Sequence, residues 1–178
     1  MGIKQLNGTY VAPEDRILLR VSTDAGEEIR LWLTRPITLQ MLGAIRAAAA
    51  RAIAQKFPPL VAQTVAEFEQ QSVRAQTRLD DPFLSGAKFP LGDTPALVVQ
   101  LAANEKSNDL SMDLTLPQGN KVNLCLPHQL AQQFGVLLER IQENAGWKLD
   151  LTEAHAPAAG SESDPAAAAS PRNKKIVH

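Results

Sequence analysis

Residues 16–35 read Arg-Ile-Leu-Leu-Arg-Val-Ser-Thr-Asp-Ala-Gly-Glu-Glu-Ile-Arg-Leu-Trp-Leu-Thr-Arg. Ile17, Leu19 and Val21 alternate with Arg16, Leu18, Arg20 and Ser22, the period-two pattern of a strand with one face in a core. Asp24-Ala25-Gly26 follows, a short loop whose glycine can take the left-handed conformation such turns need. Ile29, Leu31 and Leu33 then alternate with Glu28, Arg30, Trp32 and Thr34. A three-residue loop sets Val21 opposite Ile29, Leu19 opposite Leu31 and Ile17 opposite Leu33, so every cross-strand pair on that face is apolar. A slip of one residue would put apolar side chains opposite Arg30 and Trp32. The same register sets Arg20 opposite Arg30.

A second stretch has this layout. Leu110, Met112 and Leu114 alternate with Ser111, Asp113 and Thr115; Pro117-Gln118-Gly119 is the loop; Val122, Leu124 and Leu126 alternate with Lys121, Asn123 and Cys125. Gly119 follows Gly26 by 93 positions, and Val122, Leu124 and Leu126 follow Ile29, Leu31 and Leu33 by the same interval. Each copy runs into a proline, Pro36 or Pro127, and then a helical pattern. The expected fold is α+β: an antiparallel sheet built from two strand-turn-strand-helix units, a pseudo-repeat, with helices packed on one face. The interval is too long for a solenoid repeat, so the two units are halves of one domain.

Working outward, 1–13 reads as a lead-in, with a turn at Asn7-Gly8 and a short edge strand at Thr9-Tyr10-Val11 before Pro13. Leu42, Ile45, Ala49, Ala52 and Ile53 recur at helical spacing around the alanine run 47–50, predicting a helix over 36–56. Pro58-Pro59 must break it. A second helix is expected over 60–78, with Leu60, Val61, Thr64, Val65 and Phe68 on one face and a polar later half. Residues 79–95 carry five Pro or Gly and form a long loop, either a flap or a packed connection. Residues 96–103 read as a strand, which with the second hairpin makes a three-stranded meander. A third helix begins near His128, with Leu130, Phe134, Leu137, Leu138 and Ile141 on one face, and ends at Gly146. Trp147, Leu149 and Leu151 suggest a last short strand. The domain is placed at 1–152. The Ala/Pro/Ser-rich tail 153–178 is expected to be disordered.

Composition narrows the function classes. The formal net charge is −1 and aromatic residues make up 4%, which argues against nucleic-acid binding and base stacking. The single cysteine suits a reducing cytoplasm. No apolar run approaches a membrane span, and no cofactor is implied. The glycines never form a phosphate-binding loop. Cys125-x-x-His128 has no second pair, so no metal site is expected. Glu27-Glu28 and Asp80-Asp81 are adjacent, and adjacent strand residues point to opposite faces, so neither makes an acid–base pair.

The residues that stand out are Arg16, Arg20, Arg30, Trp32 and Arg35, on or beside the polar face of the first hairpin. Like charges directly opposite destabilise a sheet, so Arg20 and Arg30 call for an anion. It can come from Glu28 and Asp24, from another element, or from outside. Arg and Trp are favoured at interface hot spots. The expectation is a non-enzymatic adaptor or scaffold that docks a protein partner of acidic character through this Arg/Trp face, or through the face of the second helix that carries Val61, Val65, Phe68 and Val73. A homodimer is a further expectation. The alternatives are nucleic-acid binding through the same arginines, and an enzyme with the 79–95 loop as its lid.

Overall fold

In the computed structural model, which describes residues 2–78, 81–106 and 109–147, both hairpins take the expected register. Strand β2 (Arg16–Thr23) pairs antiparallel with β3 (Glu28–Leu33), setting Ile17 on Leu33, Leu19 on Leu31 and Val21 on Ile29. The loop is residues 24–26: the Thr23 N–H donates to the Glu27 carbonyl at 3.0 Å, and Gly26 has φ 72°. The second hairpin pairs β6 (Asp109–Thr115) with β7 (Lys121–Pro127). Its register is that of the first moved on by 93 residues, and Gly119 has φ 83°. The inward side chains of both hairpins are buried in one hydrophobic cluster, so the pattern that set register also built the core.

Each unit has one strand more than the hairpin alone. β1 (Ile3–Val11) pairs antiparallel with β2, and β5 (Gln100–Lys106) with β6. A 3-10 turn, Ala12–Glu14, joins β1 to β2. The lead-in is thus a nine-residue strand rather than a turn and a short edge. Asn7-Gly8 lies in mid-strand. A Cβ on Gly8 would sit 2.5 Å from Ile141 Cδ1, so this glycine lets a helix close on the strand. The strand has half-buried side chains on both faces, so no apolar–polar alternation announces β1, and its register on β2 shifts once, between Ile3 and Gln5.

Residues 96–103 are not one strand. β4 (Ala96–Leu97) pairs parallel with β3, and the chain then crosses to the other sheet. The Val98 N–H donates to the Trp32 carbonyl at 3.0 Å, and the Val99 N–H to the Thr115 carbonyl at 2.9 Å. The result is a four-stranded sheet, β1-β2-β3-β4, and a three-stranded sheet, β5-β6-β7.

Three helices complete the fold: α1 (Arg35–Lys56), α2 (Pro59–Gln76) and α3 (His128–Asn144). Their first residues in the two units, Arg35 and His128, are again 93 apart. Met41 and Ile45 of α1 and Phe134 and Leu138 of α3 hold matching places and are all buried. The helices cross between units: α1 lies on α3 and on β5, whereas α3 lies on β1. Gly135 permits this approach, since a Cβ there would meet Ile45 Cγ2 at 3.1 Å. Among the described residues α1 alone is long and apolar enough to cross a membrane, with a mean hydropathy of 1.2. It instead packs on α2, α3 and β5, and its Arg46 and Arg51 pair with Glu139 and Glu105. The tail 153–178 and the end of the expected last strand, Leu149 and Leu151, lie outside the described residues.

Candidate functional site

The outer face of the four-stranded sheet holds the arginines singled out above. Arg20 stands opposite Arg30, as the register requires. Both are bound by one carboxylate: Glu28 Oε1 accepts from Arg20 Nε at 2.9 Å and from Arg30 Nε at 2.7 Å. Glu28 is 1% exposed. Burial alone pushes its carboxyl up, but the hydrogen bonds and charges of the two guanidinium groups outweigh this and hold it at about 2. A buried anion on the same strand pair therefore offsets the like-charge pair.

The connection from α2 to β4 then lies across this face. Phe83 stacks on the Arg20 guanidinium, 4.0 Å from carbon to ring centre, and Phe89 on that of Arg30 at 4.6 Å. Arg20 Nη2 donates to Ser85 Oγ at 2.7 Å, Arg30 Nη1 to the Asp93 carbonyl at 3.2 Å, and the Gly86 N–H to Glu28 Oε2 at 3.2 Å. Backbone bonds pin the same segment: the Glu28 N–H donates to the Lys88 carbonyl at 2.8 Å, and the Ala87 N–H to the Gly26 carbonyl at 2.9 Å. A Cβ on Gly86 would lie 2.6 Å from the backbone of Glu27 and Glu28, so only glycine lets the loop approach this closely. The described part of the long loop is thus a packed cover. Phe83, Phe89 and Gly86 were not singled out in the sequence, because nothing local to 81–95 says which face it meets.

The other three predicted residues lie apart from this knot. Trp32 is half-buried, and its carbonyl accepts from Val98 where the two sheets meet. Arg16 is 3.6 Å from Glu14. Arg35 opens α1 near the carboxylate of Asp15. Asp15, at φ 47°, accepts from Trp147 Nε1 and from the Tyr10 hydroxyl, both at 2.9 Å. These two bonds, helped by Arg35 and opposed by burial, hold its carboxyl below the usual range. The cluster ties the end of α3 to the β1–β2 connection. Cys125 is exposed on β7 and His128 begins α3.

The second expected surface is α2. None of its eighteen residues is buried. Its inward side, with Ala62, Ala66 and Val73, faces α1 and α3, and Arg74 Nη2 donates to Glu139 Oε2 at 2.8 Å. Its outward side carries Leu60, Thr64 and Phe68 at four-residue spacing, with Val61 beside them and Phe57 just before the helix. Leu60 is 93% exposed and Phe68 72%. Between α1, α2 and α3 lies a half-open cavity of about 340 Å³, lined by Ile45, Ala49, Ala66, Val73 and Val136. Among the described residues no three His, Cys, Asp or Glu side chains gather as metal ligands do.

No protein-family model, no curated protein and no solved structure matches this chain.

Proposed function

We propose that this chain is a small, non-enzymatic interaction protein that docks a protein partner through the outward face of α2. The observation that carries the reading is that an eighteen-residue helix buries none of its residues while presenting Leu60 and Phe68 to water on one side, about two turns apart. Covering a large apolar side chain is worth about 1.5–3 kcal/mol, so a partner that covered both would gain a usable share of a binding energy from them alone. The Arg/Trp face is the weaker candidate of the two, because the anion that Arg20 and Arg30 call for is Glu28 and the cover is the 81–95 loop. The same contacts occupy Arg20 and Arg30, two of the four arginines on which the nucleic-acid reading rests. One cysteine, exposed and free, fits a reducing compartment such as the cytoplasm.

A photo-crosslinking amino acid at position 68 tests this. The expected result is a discrete adduct, either with a second copy of the chain or with one partner, and a Kd for that species weakened at least tenfold by Leu60→Ser with Phe68→Ser. An unchanged Kd in that variant, with full loss on Arg16→Ala plus Trp32→Ala instead, would move the docking site to the sheet. A fluorescent single-stranded DNA titrated at low salt checks the alternative; tight, strongly salt-dependent binding would favour it.

A further inference from the structure

The inward side of α2 presents a second feature, independent of the docking reading. Where α1, α2 and α3 meet, each contributes small side chains: Ala49 and Ala50 from α1, Ala66 from α2 and Gly135 from α3. Leu42, Ile45, Ile53, Val73 and Val136 surround them, and the three helices fail to close. The space left is about 340 Å³. That is the lower end of the range for small-molecule sites, roughly 300–1,000 Å³, so it excludes a dinucleotide or a long acyl chain.

Four polar side chains line this cavity: Arg46, Gln70, Gln132 and Glu139. Arg74, just outside the lining, joins Arg46 on the carboxylate: Glu139 Oε1 accepts from Arg46 Nη2 and its Oε2 from Arg74 Nη2, both at 2.8 Å. Burial opposes ionisation of Glu139, but the two arginines override it and hold its carboxyl below the usual range. The carboxylate is therefore charged at neutral pH, and the trio carries one net positive charge at the mouth of an apolar space. Both arginine side chains stay about half exposed, at 45% and 54%. An arginine has five N–H groups, more than one carboxylate oxygen can use.

From the apolar walls and the cationic rim we infer that the α1–α2–α3 cavity binds a medium-chain carboxylate amphiphile, its chain among Ile45, Ala66 and Val73 and its head shared by Arg46 and Arg74. A neutral apolar molecule of the same length fits the walls but lacks the head contact.

Calorimetric titration of the full chain with decanoate below its micellar concentration, alongside decanol, tests it. Saturable binding near one equivalent is expected for decanoate, with decanol at least fivefold weaker. Arg46→Gln with Arg74→Gln should weaken decanoate about tenfold and leave decanol within twofold. Ala66→Leu should abolish both by filling the space. Val73→Phe fills it from the other end and serves if Ala66→Leu disturbs α2, which circular dichroism would show. No saturable binding, decanoate and decanol equal in the parent, or decanoate bound equally by a folded filled variant would overturn the inference.

Discussion

The two halves share a register to the residue, yet their outer faces differ. In the first, Leu18, Trp32, Arg20, Arg30 and Glu28 point outward, and residues 81–95 lie over the last three. In the second, the same positions hold Ser111, Cys125, Asp113, Asn123 and Lys121, and the β7 members of the set are exposed. The central cross-strand pair shows why. Asp113 and Asn123 satisfy each other directly, with Asn123 Nδ2 donating to Asp113 Oδ1 at 2.7 Å. Arg20 and Arg30 repel and need a buried acid, which in turn needs more donors, and the loop brings them. A change of four or five outward side chains on one backbone plan thus decides whether a sheet face needs a lid.

Removing the acid should separate the halves most. Glu28→Ala leaves two arginines facing each other under the loop and is expected to lose about 3 kcal/mol, the scale for breaking a buried ion pair from one side. Lys121→Ala, at the matching position of the second half, should stay within about 0.5 kcal/mol, because Lys121 is exposed. Urea denaturation of both variants makes the comparison. Equal losses would mean that the loop and not the ion pair holds the first sheet.

Gly86→Ala comes next. Its Cβ would strike main-chain atoms of Glu27 and Glu28, and backbone cannot swing aside as a side-chain tip can. The loop must lift, at an expected cost of about 2 kcal/mol. Hydrogen exchange should speed at Ala87 and Lys88, whose N–H groups donate to Gly26, and stay unchanged at Leu116 and Gly119 of the second turn. Uniform acceleration in both turns would show that the cover is no separate unit.

Acid should also act on one half before the other. The Glu28 carboxyl is held at about 2, below its ordinary value of 4.5. A lowered folded value means that the unfolded chain binds the proton first. The contribution is therefore complete above about pH 4.5 and drains away as pH falls toward 2. Stability followed between pH 5 and 2 should drop more steeply in the parent than in Glu28→Gln, which has no proton to gain. Parallel profiles would assign the acid sensitivity elsewhere, Glu139 being the other carboxyl held low by two arginines.

How far these features can be read from the chain follows from their range. The hairpins were legible because strand register is written in a period of two residues, and Gly26 and Gly119 mark both turns. The strand β1 was not, since side chains on both of its faces are half-buried and no apolar–polar alternation marks it, and Gly8 looks like a turn until Ile141 is placed against it. The split of 96–103 was equally hidden: Val98 and Val99 serve two sheets, and no local pattern says so. Of the candidate site, the Arg20–Arg30 opposition was legible from the register, but Glu28 was only one of several anions that the sequence left open. Phe83, Ser85, Gly86 and Phe89 lie more than fifty residues away and became visible only with the fold.

The smallest expected effect distinguishes two ways of holding the lid. Phe83 and Phe89 lie against the guanidinium groups of Arg20 and Arg30, covering them from water, and their ring faces also attract the charge. Leucine keeps most of the apolar cover and has no ring. Phe83→Leu and Phe89→Leu should therefore each cost about 0.5–1 kcal/mol, the range of a half-exposed cation–π contact. Arg20→Gln, which removes the charge, beside Phe83→Leu closes a double-mutant cycle, and coupling of that size would assign the loss to the ring and the charge together. No coupling would leave the loop held by Gly86, Lys88 and the backbone of Gly26. The rings would then act as filler, and the two faces of the molecule would differ in glycine placement more than in charge.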